Sequence, residues 1–213
     1  MAKGSIFGTL SGKIGTVVVY ERNGKQIVRS NPEQRDPKTP AQLAHRMKFS
    51  LVNKGMSPLN KIIKFGYRNS EKNYRKLVGV AYHTAIVGEY PDFALDYSKI
   101  QIAEGDLQLP DNVTIKAEVG NNIVSFCWDP QMANRSQPGR ESDMVNIVCL
   151  YESFPVAENL LNTARRSDGN ATIDIKSKLG LSDEWNPSEL HFWLYLSSND
   201  LTQNSDSVYV KCR

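Results

Sequence analysis

The sequence predicts an α+β chain: an N-terminal β-hairpin arm and a few short helices, followed by an antiparallel β-sandwich. Three observations carry this. Residues 1–30 are rich in glycine and β-formers, and residues 40–86 place apolar side chains at helical spacing. From about residue 90 the spacing changes to alternation punctuated by turn residues. Pro91-Asp92 marks the change. It divides the chain into a basic arm, hairpin and helical region over 1–90 and a sandwich domain over 91–213.

The arm carries Gly4, Gly8, Gly12 and Gly15 before the β-branched run Thr16-Val17-Val18-Val19-Tyr20. Asn23-Gly24 then separates that run from Gln26-Ile27-Val28-Arg29, a hairpin signal because the tight turn needs positive φ at adjacent positions. The glycine spacing lacks the Gly-Lys-Ser/Thr ending of a phosphate loop, and no strand precedes it. A polar, proline-punctuated connector follows over 31–39. Thr39-Pro40 with Gln42 three residues on reads as a capping box that opens a helix, with Leu43, Met47 and Leu51 as its apolar stripe. Ser57-Pro58 repeats the start signal for a helix burying Leu59, Ile62, Ile63 and Tyr67. A third helix is expected from Ser70, with Tyr74, Leu77, Val78, Ala81 and Tyr82 on its buried side. His45 and His83 read as surface residues.

Candidate strands beyond the boundary cover 98–103, 113–118, 123–128, 144–152, 160–165, 171–175, 190–197 and 207–212. Many short strands separated by turns such as Gly120-Asn121-Asn122 and Asp168-Gly169-Asn170 point to an immunoglobulin- or fibronectin-like sandwich. Trp128 and Trp193 read as core residues, and Cys127 and Cys149 as thiols that could face each other there.

Charge is divided along the chain. Residues 1–80 hold 16 Lys/Arg against four acids, net +12, whereas residues 81–213 hold 10 against 19, net −9. Residues 37–70 hold seven basic side chains and no acid: Lys38, Arg46, Lys48, Lys54, Lys61, Lys64 and Arg68. These seven form the candidate basic interaction surface. An asymmetry of this size speaks of partners rather than fold. It fits a solvated cationic face, a polyanion, or an acidic protein surface such as that of another copy.

Signals of chemistry are missing. The sequence has no His-Glu-x-x-His, Gly-x-Ser-x-Gly or Cys-x-x-Cys. Three scattered cysteines (Cys127, Cys149, Cys212) make no disulfide framework, and three scattered histidines leave little for a metal site. Asp183-Glu184 sits in a turn-like stretch, and the loop between Asp129 and Asp143, with Arg135, Arg140, Pro130 and Pro138, reads either as a binding surface or as an unremarkable connection. The chain is therefore expected not to be an enzyme, with no catalytic residue, cofactor or metal. The N-terminal apolar stretch is broken by Gly4, Gly8, Ser11 and Gly12, and no later run approaches the roughly 18 residues of a membrane span. A cytoplasmic, non-membrane product is expected, and its three Asn-x-Ser/Thr triplets then carry no glycan.

One local pattern runs Gly12-Lys13-Ile14-Gly15, then Val28-Arg29, then Lys38-Thr39-Pro40-Ala41-Gln42, Arg46 and Lys48-Phe49. It resembles an uncharacterised family of Bacteroides-type bacterial proteins, with a Gly-Lys-x-Gly arm and a Lys-Thr-Pro-Ala-Gln-x-x-x-Arg-x-Lys-Phe helix start, and the likeness extends over most of the chain. The first fifty residues are also similar to some phage and prophage proteins. The first resemblance implies no known activity; the second implies a particle-associated or assembly role, with virion association. The expected function is a non-enzymatic structural or protein-interaction protein that self-associates through opposite charges. The alternative is nucleic-acid binding by residues 37–76, with Tyr67 and Tyr74 stacking on bases. A third reading is a ligand-binding sandwich with Trp185 exposed.

Overall fold

The computed structural model describes residues 10–31, 36, 38–118, 122–131, 138–181 and 185–211. Gly4 and Gly8 of the arm, most of the 31–39 connector, Gly120-Asn121, Arg135, Asp183-Glu184 and Cys212 lie outside the described residues. The chain forms two compact units, Met1–Pro40 and Ala41–Arg213. The helical segment, expected to go with the arm, thus shares its unit with the strands that follow.

In the first unit β1 (Gly12–Ile14), β2 (Val17–Arg22) and β3 (Lys25–Ser30) make an antiparallel sheet in the order β1-β2-β3. Asn23 and Gly24 join β2 to β3 with φ of 53° and 71°, the double positive turn that suits the twist of a tight hairpin. Register places Val28 opposite Val19, Arg29 opposite Val18 and Lys13 opposite Val18. Cross-strand partners share a face and successive residues alternate. One face therefore carries Ile14, Val17, Val19 and Val28 with Glu21 and Gln26. The other carries Lys13, Tyr20, Arg22, Lys25 and Arg29 with Val18 and Ile27. Val19 is the one buried side chain among the unit's described residues.

The second unit opens with α1 (Pro40–Met56), whose first residue is the proline that a helix tolerates at its first position. Its buried residues are Val52 and Met56. The expected stripe of Leu43, Met47 and Leu51 is at most half-buried, and Met47 is exposed, because only the C-terminal half of α1 reaches the core. A 3-10 turn at Ser57–Leu59 leads into α2 (Asn60–Gly66). The third helix, α3 (Tyr74–Thr84), starts at Tyr74 rather than Ser70. The Asn73 side chain caps it by accepting from the Lys76 N–H at 3.0 Å, while the Ser70 hydroxyl donates to Glu104 at 2.7 Å.

A two-stranded pair, β4 (Ile86–Val87) with β5 (Ala94–Leu95), follows. The strand expected over 98–103 is absent. Asp96 accepts from the Ser98 N–H and caps a 3-10 turn at Tyr97–Lys99, and the N–H groups of Ile102 and Ala103 both reach the Ser207 hydroxyl instead of a ladder. The apolar residues that suggested a strand, Ile100, Ile102 and Ala103, are buried as an irregular segment.

Two antiparallel sheets complete the unit. One has β6 (Asp111–Glu118), β7 (Ile123–Asp129) and β10 (Asn170–Asp174) in the order β10-β7-β6. The other has β8 (Met144–Tyr151), β9 (Val156–Arg165), β11 (Leu190–Ser197) and β12 (Val208–Lys211) in the order β12-β11-β8-β9. A short helix α4 (Ile175–Leu179) follows β10. The architecture is thus α+β with several antiparallel sheets. On β8 and β11, alternate side chains serve different clusters. Val148, Leu150, Trp193 and Tyr195 join Val52, Met56, Ile63 and Val78 from the helices, whereas Ile147, Cys149, Phe192 and Leu194 join Val124, Phe126 and Trp128 from β7. Burial on both faces explains why β11 is buried at all eight positions.

Both tryptophans read as core are buried, and their indole N–H groups are satisfied by backbone carbonyls: Trp193 donates to Ile100 and Trp128 to Arg166, each at 2.8 Å. Cys127 does not face Cys149. On β7 Val124, Phe126 and Trp128 point inward, so Cys127 is on the exposed side while Cys149 is buried.

Candidate functional site

The seven basic residues divide between the two units, and those of the second play different parts. Lys38 belongs to the first unit and adopts φ of 46°. On α1, Arg46 and Lys48 are two residues apart and so point to different sides of the helix. The Lys48 ammonium lies 4.7 Å from the centre of the Phe93 ring, a cation–π contact that ties it to the β5 approach. Arg68 is half-buried: its guanidinium stacks over Phe65 at 4.8 Å and donates from Nη2 to Asn204 Oδ1 at 3.3 Å. Lys48 and Arg68 are engaged in holding the fold. Lys54, Lys61 and Lys64 are exposed, and the last two, three residues apart on α2, share one face.

The structure joins Lys64 to cations outside the acid-free window. A cleft of ≈ 570 Å³ opens between α2 and the turn into α3, lined by Asn60, Ile63, Lys64 and Tyr67 from one side and Lys72, Asn73, Tyr74 and Arg75 from the other. Glu71 bounds the acid-free window at residue 70, so Lys72 and Arg75 belong to the +12 region but lie outside the seven-residue basic surface. Lys72 pairs with Glu104, which also accepts from the Ser70 hydroxyl. These hydrogen bonds hold the Glu104 carboxyl below its ordinary range. Lys64 and Arg75 make no ion pair among the described residues. Tyr67 is only 4% exposed, and its hydroxyl is buried without a hydrogen-bond partner, as is Asn60 Oδ1. Burial, reinforced by the carboxylates of Glu104 and Asp206, pushes the Tyr67 phenol far up, so it stays protonated. Burial also raises Tyr74.

A second cationic surface was missed because alternation, not clustering, makes it. Lys13, Arg22, Lys25 and Arg29 share one face of the three-stranded sheet with Tyr20, over whose ring Arg29 sits at 5.8 Å. Glu21, the one acid among the residues of β1 to β3, points to the other face. A period-of-two reading of 17–29 contains this signal.

Trp185 is half-buried and donates from its indole to Asn122 Oδ1 at 2.6 Å. His45 and His83 are exposed and flank the Tyr82 ring at 5.4 and 5.1 Å. No three His, Cys, Asp or Glu side chains converge as metal ligands among the described residues, and no helix there is long and apolar enough to cross a membrane.

The chain belongs to a family of unknown function, DUF6266, which matches residues 9–211. No curated protein matches it. Among solved structures it is similar to a Fn3-like protein from Clostridium thermocellum, with 12% identity and a TM-score of 0.31 over 51% of this chain and 95% of that one.

Proposed function

We propose that this chain is a non-enzymatic structural or protein-interaction protein that assembles with copies of itself, in the manner of a phage- or mobile-element-related assembly component. The observation that carries the reading is the two-faced sheet of β1, β2 and β3. One face is cationic; the other leaves Val28 61% and Ile14 44% exposed, with a single buried valine between the strands. Three short strands with so little core are marginal on their own, and an apolar face of this kind gains stability from a partner surface.

The occupant we assign is a second copy. Residues 81–213 carry the net −9, and Glu141, Glu152, Glu158, Asp168, Asp174 and Asp200 are exposed. A positive face meeting a negative one in the next subunit is a heterologous contact, which closes into a ring or grows as a filament. In this reading the three- and four-stranded sheets form the immunoglobulin- or fibronectin-like sandwich that presents the acidic side, and the product works in the cytoplasm or on a virion. Reversing charge on the sheet with Lys13→Glu and Arg29→Glu is expected to abolish assembly without unfolding the chain, since both side chains are exposed. Assembly that survives the reversal would remove the mechanism.

The alternative is nucleic-acid binding by residues 37–76. The exposed Lys54, Lys61 and Lys64 favour it, but Tyr67 is too buried to stack on a base. A mobility-shift titration against duplex DNA and single-stranded RNA separates the readings. A shift that weakens steeply with salt favours the alternative, and no shift removes it.

A further inference from the structure

We propose that the outer edge of β3 is a self-association surface, where two copies join edge to edge and antiparallel, so that their three-stranded sheets become one sheet of six strands. The inference rests on the self-assembling reading. It adds to the charge-driven contact an isologous one, in which the same residues serve on both sides.

Sheet order leaves the outer side of β3 without a partner strand among the described residues. The hairpin decides which backbone groups face that way. The register that sets Val17 opposite Ser30 sets Thr16 opposite Asn31, and the Asn31 N–H donates to the Thr16 carbonyl at 2.7 Å. In an antiparallel ladder the N–H and C=O groups of successive residues turn to alternate sides. Lys25, Ile27, Arg29 and Asn31 therefore bond inward, and Gln26, Val28 and Ser30 turn theirs outward. An edge of this kind is a template for a further strand.

Charge selects the register. A twofold axis normal to the sheet keeps each face on its own side, so opposed residues come from the same face. Setting Ile27 against its own copy puts Lys25 opposite Arg29, and setting Arg29 against its own copy opposes two guanidiniums; like charges directly opposite are unfavourable. Setting Val28 against Val28 puts Gln26 opposite Ser30 and Ile27 opposite Arg29, with no like charges facing. Val19 is the β2 neighbour of Val28, so this register lines up four valines across the middle of the joined sheet. Val28 is 61% exposed in the single chain, and the pairing covers it. The two cationic faces then lie side by side as one continuous surface.

The test is disulfide capture of the full chain with copper phenanthroline as oxidant, in about 0.5 M salt, which screens exposed charges. Cys127 and Cys212 are replaced by Ser, and Cys149 is buried. Opposed Cα atoms of a hydrogen-bonded antiparallel pair lie about 5.5 Å apart, a span that a disulfide bridges. Val28→Cys should therefore give a species of twice the 23.9 kDa of one chain. Ile27→Cys and Arg29→Cys should stay single when alone and link when mixed. Val28→Pro removes an outward N–H and leaves the β2 ladder intact, so it should abolish the mixed link. No link through Val28→Cys would overturn the proposal. So would an Ile27→Cys link formed without Arg29→Cys, since the strands would then sit in the register that charge disfavours. Mass growth at low salt in chains that fail to link would remove the edge pairing and leave the charge-driven contact standing.

Discussion

Asn204 donates from Nδ2 to the carbonyl of Gly66 at 2.9 Å, fastening the end of α2 to the segment that returns toward β12. The same amide accepts from Arg68 through Oδ1 at 3.3 Å, and the Asn204 carbonyl takes the Leu107 N–H at 3.2 Å. Asn204 is buried, so truncation removes the shorter of the two donors to the Gly66 carbonyl, which keeps the Glu104 N–H at 3.4 Å, and takes the Asn204 acceptor from the Arg68 guanidinium. Asn204→Ala should lower unfolding free energy by about 2–3 kcal/mol in urea titrations. A change below about 0.5 kcal/mol would show that water replaces the amide.

Gly66 is the other half of this contact. A Cβ there would strike the Ile102 carbonyl and the Cα and Cβ of Ala103, which are backbone or short and cannot swing away. Gly66→Ala is expected to cost about 1–3 kcal/mol despite the better helix propensity of alanine, measurable as a fall in urea midpoint. Gly79→Ala on α3, where nothing lies within 4 Å of the new methyl, serves as the contrasting site and should be neutral or slightly stabilising.

Arg166 is fully buried, donates from Nη2 to the Gln108 carbonyl, and leaves Nε and Nη1 unpartnered. Desolvation holds its pKa down, only partly offset by the charges of Asp143 and Asp111. A cation kept under such conditions adds little net stability. Arg166→Met is therefore expected to lie within about 1 kcal/mol of the parent or above it, while Arg166→Ala, which opens a cavity, should lose about 2–5 kcal/mol. Equal losses for both variants would assign Arg166 a stabilising role that its hydrogen bonds do not explain.

His191 packs its ring against Tyr97 at 4.2 Å, and its two nitrogens meet the Tyr209 hydroxyl at 2.8 Å and Glu152 at 3.3 Å. Burial lowers its pKa, helped by Lys211, and this outweighs Glu152 and Asp96, which raise it. Tyr209, pushed up to about 12 by burial, keeps its proton and donates to Nδ1, so the neutral ring carries its proton on Nε2 facing Glu152. The unfolded chain binds the proton more readily than the folded one. Stability is then full above the ordinary histidine range near 6.5 and declines as pH falls through it. Urea midpoints should drop over that window in the parent and stay flatter in His191→Gln. Identical profiles would place the titration elsewhere.

Cys127 is exposed and Cys149 buried, with burial and the charge of Glu158 driving the Cys149 thiol well up. Iodoacetamide followed by peptide mass analysis should alkylate Cys127 in the native chain and Cys149 only after denaturation. Native labelling of Cys149 would mean that the shared core of the sheets opens readily.

These residues also show where sequence reasoning succeeds and where it stops. Asn23-Gly24 announces its turn because the backbone there needs positive φ, and Pro40 announces a helix start because its missing N–H costs nothing there. Such signals are local. The 98–103 segment misleads because Ile100, Ile102 and Ala103 are buried in the helical core while Ser207, more than a hundred residues away, takes the N–H groups of Ile102 and Ala103. The cleft was only half legible. Lys64 stood out in an acid-free run, but its meeting with Lys72 and Arg75 depends on how α2 turns into α3, and the unpartnered oxygens of Asn60 and Tyr67 have no sequence signature. The cationic sheet face was legible in principle, since alternation over 17–29 places Tyr20, Arg22 and Arg29 together.

The measurement closest to the central claim is static light scattering of the full chain over a range of concentrations, at roughly 0.05 M and 0.5 M salt, on either side of a Debye length of about 10 Å. At low salt the mass should rise with concentration above the 23.9 kDa of one chain, and at high salt it should fall back toward it. A single-chain mass at every concentration in low salt would contradict assembly through the two-faced sheet.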